Sequence, residues 1–212
     1  MLKTKDSRVP SLTRGTLEQS ARLTQSWPRS VGGVGGPGAP YLYPFQGNHQ
    51  GEAYSADDGP STPLFRFGEG LGYSPFELSG LDVSPKAAVS AAGSWTLALN
   101  VSNTGTRDGA TPVQVFFRDP CAFPVRLGSI QLARFTKVWV RAGETKRVEL
   151  RLAAQDFAYW DDGQNGTPHV GAQGAWIVDP GEFDLVLSTE GFGGWETPTG
   201  LLGHVRVAPS AQ

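Results

Sequence analysis

The sequence predicts an all-β chain, an immunoglobulin-like β-sandwich preceded by a long irregular segment rich in glycine and proline. Three observations carry that reading. From Leu78 onward apolar residues recur at every second position, the period of a half-buried strand. Clusters of Asn, Asp, Gly and Pro fall between these runs, where turns are needed. No convincing helical pattern separates them.

Taken in order, residues 1–24 have mixed polarity and a single short helical stretch, Leu17 to Leu23, which reads equally as a frayed tail; no fold is assigned to them. Residues 25–77 form a lead-in. Between Trp27 and Pro63 this lead-in is dense in Gly, Pro, Asp and Ser, with Tyr41, Tyr43 and Phe45 spaced two apart. It is too long for an ordinary connection in a compact domain, so it either wraps a surface or belongs against a partner. The sandwich is expected over residues 78–209. Its strands are marked by Leu81 to Val83, then Trp95, Leu97, Leu99 and Val101, then Val113, Val115 and Phe117. Val138 to Val140 supply a short strand, followed by Val148, Leu150 and Leu152, by Phe183, Leu185 and Leu187, and by Val205 to Val207. Each is read as half-buried, with one apolar and one polar face. The turns are Asn103-Thr104-Gly105 with Arg107-Asp108-Gly109, then Ala142-Gly143-Glu144, then Asp179-Pro180-Gly181. Asn103 and Gly105 are expected to supply the positive φ of a tight hairpin. Short strands joined by short turns favour a sandwich over a small barrel, the alternative.

Composition narrows the function. A length of 212 residues holds one sizeable domain with some extra chain. A formal charge of −2 gives no electrostatic footprint for nucleic acid or an anionic membrane surface. No apolar run approaches the ~18–20 residues of a membrane span, so neither nucleic acid nor membrane is an expected partner. Cys121 is the single cysteine, which rules out an intrachain disulfide and a Cys-based zinc site. The first twenty residues lack the apolar core of a signal peptide, and Asp6 and Glu18 sit badly in a transit peptide.

Several patterns suggest chemistry and fail on inspection. Gly33-Val34-Gly35-Gly36-Pro37-Gly38 fits G-x-G-x-x-G, but Pro37, Pro40 and Pro44 block the helix that must hold a pyrophosphate. His49, His169 and His204 are scattered, and only His49 has a nearby carboxylate, Glu52; a metal site needs three or four converging ligands. No serine lies in a G-x-S-x-G elbow. Asp57-Asp58 and Asp161-Asp162 stand beside glycines and read as solvated turn residues. No cofactor and no metal are therefore expected. Asn100-Val101-Ser102 and Asn165-Gly166-Thr167 are glycosylation sequons, meaningful only in a secretory pathway.

The segment from Pro63 to Phe76, PLFRFGEGLGYSPF, resembles the junction P-L-[YF]-P-F-G-x-G-L-S-Y-T-x-F of family 3 glycoside hydrolases, with Arg66 in place of proline and Gly72 in place of serine. Val101 to Gly105, Val113 to Pro120, Leu132 to Val138 and Phe157 to Trp160 resemble further motifs of that family in its order. Trp27 to Gly32, WPRSVG, is similar to its β-glucosidase members, and Gly51 to Tyr54 is a looser echo. The resemblance covers residues 22–190. It implies a fibronectin type III-like domain that follows, and partners with, the catalytic domains of a β-glucosidase or β-xylosidase. It also implies that residues 25–77 resemble the end of the preceding domain. Members of the family are often secreted.

Glycoside hydrolysis ordinarily needs two carboxyl groups flanking the scissile bond. The resemblance places the family's nucleophilic aspartate and its acid/base glutamate in domains upstream of the matched region, and neither motif occurs here. The chain is thus expected to be inactive alone, with no catalytic residue of its own. Trp27, Tyr41, Tyr43, Phe45, Asn48 and His49 are the candidates for carbohydrate contact, since aromatic faces and amides suit sugar rings; they serve equally to cover apolar surface on the preceding domain. Core packing is the reading for Phe65, Phe67 and Tyr73. Two rivals remain: a free-standing fibronectin-like module that binds carbohydrate or protein, and an independent enzyme. The family reading requires an exposed apolar face on the sandwich and along Trp27 to Tyr54.

Overall fold

The computed structural model describes residues 21–25, 27, 64–118, 131–161, 174–191 and 200–209. The lead-in from residue 28 to 63 lies outside them, as do the N-terminal twenty residues.

Among the described residues nine strands run in chain order as β1 (Phe76–Ser84), β2 (Ser94–Asn103), β3 (Gly109–Arg118), β4 (Gln131–Val140), β5 (Thr145–Ala153), β6 (Tyr159–Asp161), β7 (Ala175–Ile177), β8 (Gly181–Ser188) and β9 (Leu201–Val207). A three-stranded sheet in the order β1-β2-β5 packs on a four-stranded sheet in the order β4-β3-β8-β9, and all pairings are antiparallel. The chain changes sheet between β2 and β3 and again between β4 and β5. This is the two-layer solution that alternating strands need in order to bury their apolar faces together.

Every strand anticipated from periodicity is present. β1 is longer than Leu81 to Val83 because a register shift between Ser79 and Asp82, at Gly80 with φ +62°, joins two short pieces into one strand. β4 reaches back to Gln131 across a similar irregularity opposite Val115/Phe116. The hairpin of β6 and β7 was not legible, since three residues are too few to display a period. The short 3-10 turn Ala154–Phe157 follows β5.

The core forms between the sheets from the inward residues of each strand. Leu97, Leu99 and Val101 of β2 meet Val113 and Val115 of β3 and Leu185 and Leu187 of β8, all fully buried. Each such side chain contributes about 1.5–3 kcal/mol on leaving water. Phe157 closes one end, with its ring stacked on Phe183 at 4.5 Å and tilted against Phe117 at 4.7 Å and Trp95 at 5.8 Å.

Two expectations are corrected. β3 is not half-buried: nine of its ten residues are buried, so Gln114 and Phe116 on its outer side are covered as well as the inner Val113, Val115 and Phe117. Pro112 is tolerated there because β8 pairs with β3 only from Gln114 onward, leaving that side of Pro112 without a ladder bond to lose. Gly105 does not take positive φ. Its constraint is space, because a Cβ there would stand 2.8 Å from Pro75 Cδ and 3.2 Å from Ser74 Cβ. Asn103 acts through its side chain, accepting from Gly105 N–H at 3.0 Å and donating to Arg107 O at 2.8 Å and to Val140 O at 3.1 Å. The last of these bonds ties the end of β2 to the opposite sheet.

Candidate functional site

The two sheets turn very different outer faces to their surroundings. On the three-stranded sheet, strand alternation points Glu77 and Asp82 of β1, Thr96 and Ser102 of β2, and Arg147 and Arg151 of β5 outward. That is a solvated face. On the four-stranded sheet the register aligns Leu132, Phe116, Val186 and Leu202 in one row across all four strands, beside a polar row of Arg118, Asp184 and His204. Phe135, opposite Gln114, and Trp139, opposite Ala110, extend the same side. Phe135 is 68% exposed, Leu202 60% and Trp139 50%, whereas Phe116 and Val186 are fully buried.

What buries the middle of that row is the junction segment. Phe67 meets Phe116 edge-on, with ring centroids 6.1 Å apart, and Gln114 Nε2 donates to Gly68 O at 3.0 Å. The segment is doubled by residues from further upstream: Leu23 N–H donates to Glu69 O at 2.9 Å and Gly68 N–H to Leu23 O at 2.8 Å, while Trp27 N–H donates to Phe65 O at 2.8 Å and Leu64 N–H to Trp27 O at 2.7 Å. Arg22 anchors this strap, its Nε donating to Thr189 O at 3.0 Å and its Nη2 to Thr111 Oγ1 at 3.4 Å. Gly68 requires its glycine: φ is +79°, and a Cβ would run into Gln114 Oε1 and come within 3.1 Å of Gly191 Cα. Phe67 therefore packs as expected, but Phe65 and Tyr73 do not; they are 46% and 40% exposed, with Leu64 and Trp27 beside Phe65 also about half exposed.

Of the residues read as carbohydrate contacts, Trp27 lies on this strap, exposed and bridged to Phe65. Tyr41, Tyr43, Asn48 and His49 lie outside the described residues, as does Phe45. Asp161 is expected as a solvated turn residue, yet it is buried at the end of β6. Asp162, Asp57 and Asp58 lie outside the described residues. His204 is exposed on β9, opposite Asp184. Among the described residues, no three His, Cys, Asp or Glu side chains converge as metal ligands do.

Sequence reasoning missed the outward aromatics. Phe135 and Trp139 alternate with Lys137 and are out of phase with Val138 and Val140, so the signal was a strand apolar at both parities. Trp160 and Trp176, which face each other across the β6–β7 hairpin with centroids 5.8 Å apart, were hidden by the shortness of those strands.

A three-stranded sheet facing a four-stranded one, with these crossings, defines a fibronectin type III-like sandwich, and residues 111–190 match the model of the fibronectin type III-like domain family. The chain is 29% identical over 185 residues to a periplasmic β-glucosidase of Salmonella typhimurium, covering 83% of this chain and 22% of that protein. It is 33% identical over 153 residues to a β-xylosidase of Formosa agariphila, covering 70% of this chain and 20% of the relative. Among solved structures, a β-glucosidase from Erythrobacter marinus superposes with a TM-score of 0.72 at 26% identity, over 94% of this chain and 23% of that one. The chain corresponds to the C-terminal region of family 3 glycoside hydrolases, the region that carries their fibronectin type III-like domain. It spans about a fifth of the length of the relatives it matches.

Proposed function

We propose that this chain is a non-catalytic accessory portion of a glycoside hydrolase acting on β-glucosides or β-xylosides, and that its four-stranded face docks onto the catalytic domains. The observation that carries the reading is the asymmetry of the two outer faces. One is polar; the other sets beside its charged Arg118–Asp184–His204 row an apolar row half covered by the strap. Residues 25–77 serve in this reading as the junction and residues 78–209 as the sandwich. Exposed Phe135, Trp139 and Phe65 supply the aromatic anchors that a stable interface needs, with Lys137 as a charge between the first two. Trp27, Tyr41, Tyr43, Asn48 and His49 then border the substrate region of the assembled enzyme. In this reading the catalytic carboxylates belong to the other domains of the enzyme and the chain alone is inactive.

The test mixes the purified chain with the Salmonella relative expressed without its own terminal region. Comigration on size exclusion, lost in a Phe135→Asp/Trp139→Asp variant, is the expected result. Elution of the wild-type chain apart from the catalytic portion would count against docking. Release of nitrophenol from nitrophenyl glucoside or xyloside by the chain alone would refute the non-catalytic assignment. A free-standing binding module is favoured by one observation, the closed core of the sandwich, which needs no residue from elsewhere; that reading predicts glycan-array binding by the chain in isolation.

A further inference from the structure

Trp160 and Trp176 are 52% and 67% exposed and meet edge-to-face, their rings inclined at 73°. They are directly opposite one another on a two-stranded ribbon, so both side chains leave the same face. The other face is the less exposed one: Tyr159, Asp161, Ala175 and Ile177 are all buried or half-buried, and Tyr159 Oη donates to Asp179 Oδ1 at 3.3 Å. Gly174 fixes the base of the pair. Its φ is +69°, and a Cβ there would lie 2.7 Å from Trp160 Cζ2 and 2.9 Å from Asp161 O. A larger residue would displace the indole, so the ring position is built into the backbone and is not the chance exposure of a loop side chain.

We propose that the Trp160–Trp176 pair is a stacking platform for a single pyranose ring of a glycan chain. Size decides against a protein partner. Two indoles exposed to this degree offer about 300 Å², well short of the ~800 Å² per partner that a stable protein interface buries. Shape decides against a compact apolar ligand, which needs a concave site enclosing most of its surface; among the described residues the ribbon forms no such enclosure. A pyranose needs only one aromatic face for its axial C–H groups, and its hydroxyls remain in water. The edge-to-face arrangement presents such a face with the second ring as a wall beside it.

Position separates this platform from the docking face. β7 leads into the first residue of β8, whereas the strap contacts Thr189 and Gly191 just past its end. Eight extended residues place the two about 25 Å apart. The ligand class rests on the proposed glycoside hydrolase function, but the site does not use the docking contacts. The platform would therefore hold a distant part of a polymeric substrate.

The experiment titrates the full chain with cellohexaose, xylohexaose and laminarihexaose in separate arms, reading indole N–H resonances and heats of binding. Binding of at least one is expected, with a Kd on the order of 1 mM, shifts confined to Trp160 and Trp176, and no shift of buried Trp95. Trp176→Ala should weaken binding about tenfold or more, Trp176→Phe should retain part of it, and Trp139→Ala should leave it unchanged. Thermal melts establish that the variants are folded, and the Phe variant keeps an aromatic residue in the ribbon if the Ala variant is not. Saturating oligosaccharide without shifts in any arm would overturn the proposal, and so would binding that survives Trp176→Ala. An empty titration leaves the comigration result intact, and failure to comigrate leaves the titration intact.

Discussion

Replacing Gly68 by alanine tests whether the strap is held by the contacts described. Two costs add at this position. The left-handed backbone, φ +79°, costs an alanine about 1–2 kcal/mol. The new methyl also collides with Gln114 Oε1, so the buried amide must swing away and give up its bond to Gly68 O, for about 1–3 kcal/mol more. Gly143 supplies the control. Its φ is +71°, nearly the same, but nothing lies within 4 Å of a Cβ there, so Gly143→Ala carries the backbone cost alone. Amide exchange reads the difference locally. With a combined cost of about 3 kcal/mol on the strap, the Leu23 and Gly68 amides, which close the strap's ladder, should exchange roughly 100-fold faster in Gly68→Ala. Core amides such as that of Leu99 should be slowed or quickened far less. In Gly143→Ala the strap amides should keep their wild-type rates. Equal effects of the two substitutions on the strap, or loss of core protection in step with the strap in Gly68→Ala, would refute the account of a separately held segment clamped by Gln114.

Other substitutions probe the rest of the framework. Phe157→Ala removes the ring that Phe117 and Phe183 close upon, and urea unfolding followed by Trp95 fluorescence should show a loss of about 3–5 kcal/mol. Asp156→Ala breaks the paired 2.7 Å bonds from Arg134 and the 2.9 Å bond from Ala153 N–H. Because Arg134 is half exposed and screened, a loss of only about 1 kcal/mol is expected in the same assay. The Lys86 ammonium, 2.9 Å from Asp82, holds that carboxyl below its ordinary range. The stabilisation is thus present above the unfolded carboxylate value and disappears as pH falls through the lower folded one. The stability difference between wild type and Asp82→Asn should accordingly narrow when melts are repeated in acid below the ordinary carboxylate range.

The sandwich was legible because its information is local and periodic. Trp95 to Val101 and Phe183 to Leu187 announce their inward faces by alternation alone, and the chain obeys it. What failed was the inference from one strand to both of its faces. β3 reads as an alternating strand, yet Gln114 and Phe116 are buried by residues nearly fifty positions upstream, a contact that no window of sequence can contain. Asn103-Thr104-Gly105 was recognised as a turn, but by the wrong mechanism: side-chain bonds from Asn103 and the crowding of Pro75 replace the expected positive φ. The Trp160–Trp176 hairpin left no periodic trace, and its key residue, Gly174, is one glycine among 28. Asp161 looked like a turn carboxylate because the residues after it are turn-like, yet it is buried at the end of its strand.

The proposed docking of the four-stranded face rests on β4. A strand apolar at both parities is ordinary in the middle of a covered sheet, but among the described residues β4 is an edge, with only β3 beside it. Val138 and Val140 are accounted for by the core; Phe135 and Trp139 are not used by anything else described in the chain. An edge strand with two exposed aromatics invites association with other chains, and Lys137 between them is the sort of charge that limits such pairing. Tolerating that liability makes sense only if the face is normally covered. The strap already lies across the neighbouring row at Phe116, so a body continuous with the strap would arrive over Phe135 and Trp139 first. This geometry directs the docking experiment to those two residues and not to the polar three-stranded face. In the proposed arrangement the Trp160–Trp176 ribbon, at the far end of β8, would stay clear of the docked face.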